Sequence, residues 1–248
     1  MASRDQWSVG GLDWSAVDLG AVPTPLACAA ATLFSHAQLG ELTAMMTASR
    51  LMERLDDPTA RLVCATQIHD EARHSRFFEN LVVRLGEPAP PRDSIRSLMR
   101  EVYEHPSTEG MMLGMQILIE GMAHSLFSEG ARVFASLDQL GALTGPLLAA
   151  KTVVGEWLPL LLGRDESRHI AFGLHYLRVR VPELDRSGRH ALEETVEGWA
   201  ARIHHAAEDP DLLDSVGIDG SLLSACCIAD LNLRLSQIGL EARFEPPA

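Results

Sequence analysis

The sequence predicts an all-α protein built around an antiparallel four-helix bundle, and three observations lead there. Period-2 alternation persists nowhere, whereas long helix-like stretches follow one another along the chain. Proline, glycine and capping residues punctuate those stretches at helix-length intervals. The pentapeptide D-E-x-R-H occurs twice, as DEARH at 70–74 and DESRH at 165–169, each time well inside a predicted long helix.

Residues 1–24 read as an irregular N-terminal arm carrying Trp7 and Trp14. The first long helix spans about Pro25 to Leu55. Asp57-Pro58 then offers an N-cap followed by proline at the first helical position. The second long helix runs from there to about Leu85, where Gly86 ends it. The linker EPAPPRDS follows, and Asp93 or Ser94 caps a short extra helix over about 93–105. Pro106 interrupts, and Ser107 or Thr108 caps a third long helix reaching about Leu137. The turn DQLGALTG leads to Pro146 and a fourth long helix, which Val181-Pro182 stops. The bundle therefore occupies residues 25–182. Residues 183–248 form C-terminal helices at 186–208 and 220–238, packed on the bundle and separated by an acidic loop. The tail EPPA reads as disordered.

With 248 residues, 46% of them hydrophobic, the chain can bury a full core. A net charge of −13 argues against nucleic-acid or anionic-membrane partners, which require basic patches. No basic-then-apolar leader and no run of about eighteen apolar residues occurs, so a cytoplasmic location and no membrane span are expected. Cys28, Cys64, Cys226 and Cys227 form no C-x-x-C pair, which points to reduced thiols rather than a zinc module.

The chemistry lies in the repeated pentapeptide. Residues three apart share a helix face, so Glu71 points with His74 and Glu166 with His169. A carboxylate and an imidazole together can grip one metal ion, and two facing pairs can grip two. E-x-x-H alone arises by chance about once in such a chain, but D-E-x-R-H only about 0.004 times. Surface helices laced by salt bridges would explain the motifs less well, because they leave the positions of the other glutamates unexplained.

A dinuclear site in a four-helix bundle takes one more Glu from each remaining helix. At 1.5 Å per residue, Glu71 lies about 20 Å along its helix from Pro58. Glu41 lies about 21 Å back from the same turn and Glu53 about 3 Å, so Glu41 is level with Glu71. Glu166 lies about 30 Å beyond Pro146; Glu120 comes nearest to that depth at about 26 Å, against about 12 Å for Glu129 and about 42 Å for Glu109. The expected ligands are Glu41, Glu71, His74, Glu120, Glu166 and His169. Asp70 and Asp165 are expected to accept from the free ring N–H of the opposite histidine. His124, one turn after Glu120, reads either as a hydrogen-bonded core residue or as a supporting group beside the metals. Phe77, Phe78, Phe127 and Phe172 read as core or as pocket lining, and Gly163 and Gly173 as sites of close helix packing or as space for substrate.

This pattern resembles the ferritin-like di-iron carboxylate superfamily. RDESRHIAFG, with IEG upstream, resembles most closely the ribonucleotide reductase small subunit and its relatives, the ligand-binding oxidases. The likeness covers roughly residues 25–180. It implies two iron ions, or a manganese–iron pair, with dioxygen as co-substrate. Phe78 stands where the reductase subunit carries a radical tyrosine, and some relatives with phenylalanine there use the manganese–iron pair. A chain short for that subunit, with no tyrosine near its C-terminus, sets the reductase role aside. Thr43 and Met115 stand where the ligand-binding oxidases carry a cross-linked valine and tyrosine. The resemblance thus implies an oxidase or monooxygenase acting on a small, apolar or acyl-type molecule. With no flavin or nicotinamide fingerprint, an external electron donor is expected, and a homodimer is the default assembly. The alternative is a ferroxidase or iron-handling protein without an organic substrate.

Overall fold

The computed structural model describes residues 7–87, 90–145, 148, 150–207, 219–241 and 243–245. The described residues form seven helices and no strand. Helix α1 is Thr24–Arg54 and α2 is Pro58–Leu85. A short connection folds them back on each other. Asp57 caps α2 by accepting from the backbone N–H groups of Thr59 at 3.2 Å and Ala60 at 3.0 Å. Pro58 follows in the first turn, where its missing N–H costs nothing. Gly86 ends the helix at φ 130°, a backbone region that disfavours residues with a Cβ.

Helix α3, Asp93–Glu104, starts with Arg92 at its N-cap and no side-chain cap, one residue before the expected Asp93. Helix α4 covers residues 108–139 and is capped by Ser107, whose Oγ accepts from Gly110 N–H at 3.0 Å. It is not α-helical throughout. Thr108–Met112 and Glu120–Gln139 are α, but Leu113–Ile119 between them is π. Helix α5 covers residues 151–183 and repeats the device: Lys151–Leu162 is π and Gly163–Glu183 is α. Pro159 lies inside that π segment, where a ring without an N–H fits a ladder that is already loosened. The α segment ends two residues beyond the expected stop at Val181, because Pro182 falls in the last turn and removes only one ladder bond. Helix α6 is Arg186–Ala207 and α7 is Gly220–Ile238, the latter capped by Asp219. Most of the expected acidic loop, the EPPA tail apart from Glu245, and the expected start of the fourth long helix at Pro146 lie outside the described residues.

The long helices α1, α2, α4 and α5 build the bundle. Helix α7 packs against α4 and α5, and α6 packs against α3, α4 and α7. One apolar cluster joins Leu51, Cys64, Val102, Met111 and Leu113 of the inner helices to Val196, Trp199 and Leu235 of the last two. A second cluster joins Phe77, Phe78, Leu81, Phe127, Val153 and Leu162 to Trp7 of the arm. The described part of the arm holds three short 3-10 turns, Val9–Gly11, Trp14–Ala16 and Leu19–Ala21. Both its tryptophans pack inward: Trp7 meets Phe77 edge-on, and Trp14 lies against Phe77 and Trp157. All four cysteines are free. Among the described residues, no helix is long and apolar enough to cross a membrane.

The Asp57 cap gives a direct test of the α1–α2 turn. Asp57→Ala is expected to lower stability by about 0.5–2 kcal/mol, read from the midpoint of chemical denaturation with an unchanged slope.

Candidate metal centre

Each of the four bundle helices brings a carboxylate to one depth. Glu41 comes from α1, Glu71 and His74 from α2, Glu120 from α4, and Glu166 and His169 from α5. All six are buried, and Glu71, His74 and Glu166 have no exposed surface. In both α4 and α5 a π segment closely precedes the glutamate, and such segments concentrate at functional sites.

The geometry is nearly two-fold. His74 Nδ1 lies 3.1 Å from Glu71 Oε2, 3.2 Å from Glu166 Oε1 and 3.5 Å from Glu41 Oε2. His169 Nδ1 lies 3.1 Å from Glu71 Oε1, 3.4 Å from Glu166 Oε2 and 3.5 Å from Glu120 Oε2. Glu71 and Glu166 therefore offer one oxygen to each half. Glu41 serves the His74 half alone and Glu120 the His169 half alone. Within each set of four residues, one ligand atom from each lies within 4.8 Å of the others.

The outer ring nitrogens are held crosswise. His74 Nε2 is 3.3 Å from Asp165 Oδ2, and His169 Nε2 is 3.4 Å from Asp70 Oδ2. A proton held at Nε2 leaves the Nδ1 lone pair facing the centre, the tautomer a metal ligand needs. The aspartates are in turn neutralised by the arginines of the motif. Arg73 reaches Asp70 and Asp165, both at 2.7 Å. Arg168 reaches Asp165 at 2.8 Å and Asp70 at 3.2 Å. Trp7 adds an indole N–H to Asp165 at 3.2 Å, stacks on the His74 ring and carries Arg73 over its own face.

Two facts test whether this donor set suits cations. Glu166 Oε1 is buried, and the His74 Nδ1 that lies 3.2 Å from it is shared with Glu71 and Glu41. Each Nδ1 also faces three carboxylates, which one N–H cannot satisfy together. Four glutamates carry four negative charges in an enclosed site, a set that two divalent ions would balance. Without ions, the protonation states carry the strain. Burial and the nearby Glu166 push Glu41 well above the usual carboxylate range. Burial works against charge on the histidines too, yet hydrogen bonds to Asp165 and Glu166 raise His74 well above its ordinary value. His169 is likewise raised against the effect of burial, by Glu71 and Asp70. Burial opposes charge on Asp165 as well, but hydrogen bonding to His74 and the charge beside it hold it well below the normal range.

A cavity of about 540 Å³ lies beside the cluster. Glu41, Glu120 and Glu166 line it, and its walls are mostly apolar, including Phe34, Ala37, Phe78, Ala123 and Phe127. Phe78 and Phe127 are thus both core and pocket lining, whereas Phe172 packs on the core away from the cavity and Phe77 sits in the arm cluster. His124 does not join the centre. It is half-buried, with Arg234 and Asp230 of α7 as its charged neighbours, because one turn past Glu120 the face of α4 has rotated toward that helix. Gly173 serves packing, against Gln116, and Gly163 lies against Phe127. Thr43 bonds back to the Leu39 carbonyl at 2.8 Å, and Met115 is buried in the core. Side chains of His204 and His205 lie outside the described residues.

Sequence reasoning missed Arg73, Arg168, Trp7, Gln67 and Gln116. The arginines had a signal, since both pentapeptides carry one at the same place. The glutamines had a weaker one, since each stands four residues before a site glutamate. Trp7 had none.

No family model and no curated protein sequence matches the chain. Solved structures do. A mutant R2-like ligand-binding oxidase with anaerobically reconstituted Mn/Fe cofactor superimposes with a TM-score of 0.62 at 21% identity. That match covers 95% of this chain and 89% of the other. An R2-like ligand-binding oxidase with aerobically reconstituted Mn/Fe cofactor superimposes at 0.59 and 20% identity, covering 97% and 90%. The chain has the ferritin-like fold of these oxidases. Within that fold, the bundle positions the glutamates and the arm closes over His74.

The raised histidines and lowered aspartates make the metal-free protein sensitive to pH. A raised histidine stabilises fully below its unfolded value of about 6.5 and ceases to do so as pH rises through its folded value. The aspartate contribution is present above about 3.9 and lost as pH falls through the lowered folded value. Chelator-treated protein is therefore expected to melt at lower temperature as pH rises above about 6.5, followed by circular dichroism, while metal-loaded protein does not share that decline.

Proposed function

We propose that Glu41, Glu71, His74, Glu120, Glu166 and His169 hold two metal ions, a di-iron or manganese–iron pair. On this reading the protein is an oxygen-activating oxidase, of monooxygenase type, acting on a small apolar or acyl-type molecule. The observation that carries it is the paired geometry of the centre, with two carboxylates shared between halves, set against an apolar cavity. The Mn/Fe cofactor and the ligand-binding oxidase description of the superimposed proteins support the same reading.

The chemistry such a pair supplies when bound is electron delivery to dioxygen beside the cavity. The chain's own groups do the rest. Glu71 and Glu166 span both halves and fix the separation between them. Asp165 and Asp70 keep the protons of His74 and His169 on Nε2, away from the centre. Arg73 and Arg168 cancel the aspartates, so the four glutamates alone set the charge presented to the ions. Phe78, Ala123 and Phe127 exclude water and shape the space for an apolar chain. Electrons come from an external donor. A homodimer in the cytoplasm completes the proposal.

Metal analysis of protein purified from its own host is expected to give two ions per chain, with dioxygen uptake that depends on a small molecule. A shell-forming assembly that accumulates many irons per chain would instead establish an iron-handling role. His74→Ala is expected to cut bound metal to one ion per chain or fewer and to abolish oxygen uptake, by metal analysis and an oxygen electrode. Ala123→Trp leaves all six ligands in place and fills part of the cavity one turn along α4 from Glu120. It is expected to retain two metals while reducing turnover of the longest acyl substrates at least about tenfold, the effect of a misplaced reacting group, measured over a chain-length series.

A further inference from the structure

We propose that Gln67 is a positioning residue that makes the two halves of the centre inequivalent, fixing the Glu120–His169 half and leaving the Glu41–His74 half free to rearrange. The inference rests on the dinuclear reading above.

Gln67 and Gln116 are buried beside the centre. Gln67 Nε2 lies 2.9 Å from Glu71 Oε1 and 3.0 Å from Glu120 Oε1. An ionised carboxylate can only accept, so the group between the two must be the NH₂, one hydrogen for each. That fixes the amide's orientation and leaves Gln67 Oε1 as an acceptor. Gln116 Nε2 donates to it at 2.6 Å, and Gln116 Oε1 lies 3.2 Å from Gln67 Nε2. With both Gln67 hydrogens given to the carboxylates, that one bond from Gln116 joins the two amides across α2 and α4.

Gln116 is itself immobilised. It belongs to the π segment of α4, and a Cβ at Gly173 would stand 2.4 Å from the Gln116 Cβ. Only glycine at 173 lets α5 come this close. The backbone of α5 thus braces Gln116, Gln116 braces Gln67, and Gln67 orients one carboxylate from α2 and one from α4. The other half has no counterpart. Among the described residues, Glu41 has His74 as its near partner, at 3.5 Å, and no amide donor. It also lines the cavity. Glu120 lines the same cavity, so the halves differ in restraint and not in access: one is pre-oriented by Gln67, and the other is free of that restraint.

Partners that orient metal ligands from outside are worth about 10–100-fold in metal affinity. The full chain, stripped of metal, is titrated with Mn(II) alone, with free Mn(II) read by electron paramagnetic resonance and bound metal by elemental analysis. Glu41→Gln isolates the Glu120–His169 half and Glu120→Gln isolates the other. Gln67→Met, which keeps length without donors, is expected to weaken Mn(II) binding about 10–100-fold in the first background and less than about threefold in the second. Equal weakening in both backgrounds, or none in the first, overturns the role of Gln67 and leaves the dinuclear reading standing. A wild-type chain that binds no Mn(II) overturns both. Should Gln67→Met fail to fold by circular dichroism, Gln67→Leu carries the same expectation.

Discussion

Four carboxylates buried together constrain this molecule more than any other interaction. In a low-dielectric interior each uncompensated charge costs several kcal/mol, and mutual repulsion adds to that. The fold accepts the cost because each helix delivers its glutamate from a different direction to the same depth. In the metal-free chain, His74 and His169 supply the opposing charge and are raised accordingly. On the proposed dinuclear reading, bound cations would take over that role and displace the histidine protons, so metal binding and folding stability would share one set of groups.

The surroundings are layered around that charge. The histidines need fixed tautomers, which the aspartates supply crosswise between α2 and α5. The aspartates need neutralising, which the motif's arginines supply, again crosswise. Arg73 needs a surface, and the Trp7 ring supplies it. The N-terminal arm is thereby tied to the centre through Trp7, which is why two tryptophans ahead of the first helix are packed rather than exposed.

Much of this was legible because helix geometry is regular. Caps at Asp57 and Ser107 and the glycine at 86 mark helix ends that the structure reproduces closely. Counting helical rise singled out Glu41 and Glu120, and the structure places both beside the histidines. What remained hidden depends on contacts between distant segments. The π segments have ordinary helical composition, and only Pro159 hints at one of them. Gln67 and Gln116 acquire their role through each other, 49 residues apart, which no single helix face reveals. His124 shares the sequence spacing of a supporting residue but turns toward α7, whose placement local pattern does not encode.

The π segment at Leu113–Ile119 also limits how this chain can change. Its i→i+5 bonds accommodate one residue more than an α turn would. Loss of one residue there would restore regular, better-bonded helix, yet swing everything beyond it by about 100°. Glu120 would then point elsewhere. The segment should therefore accept exchanges of one apolar side chain for another while rejecting any change of length, so its residue count, more than its composition, is what descent has to preserve.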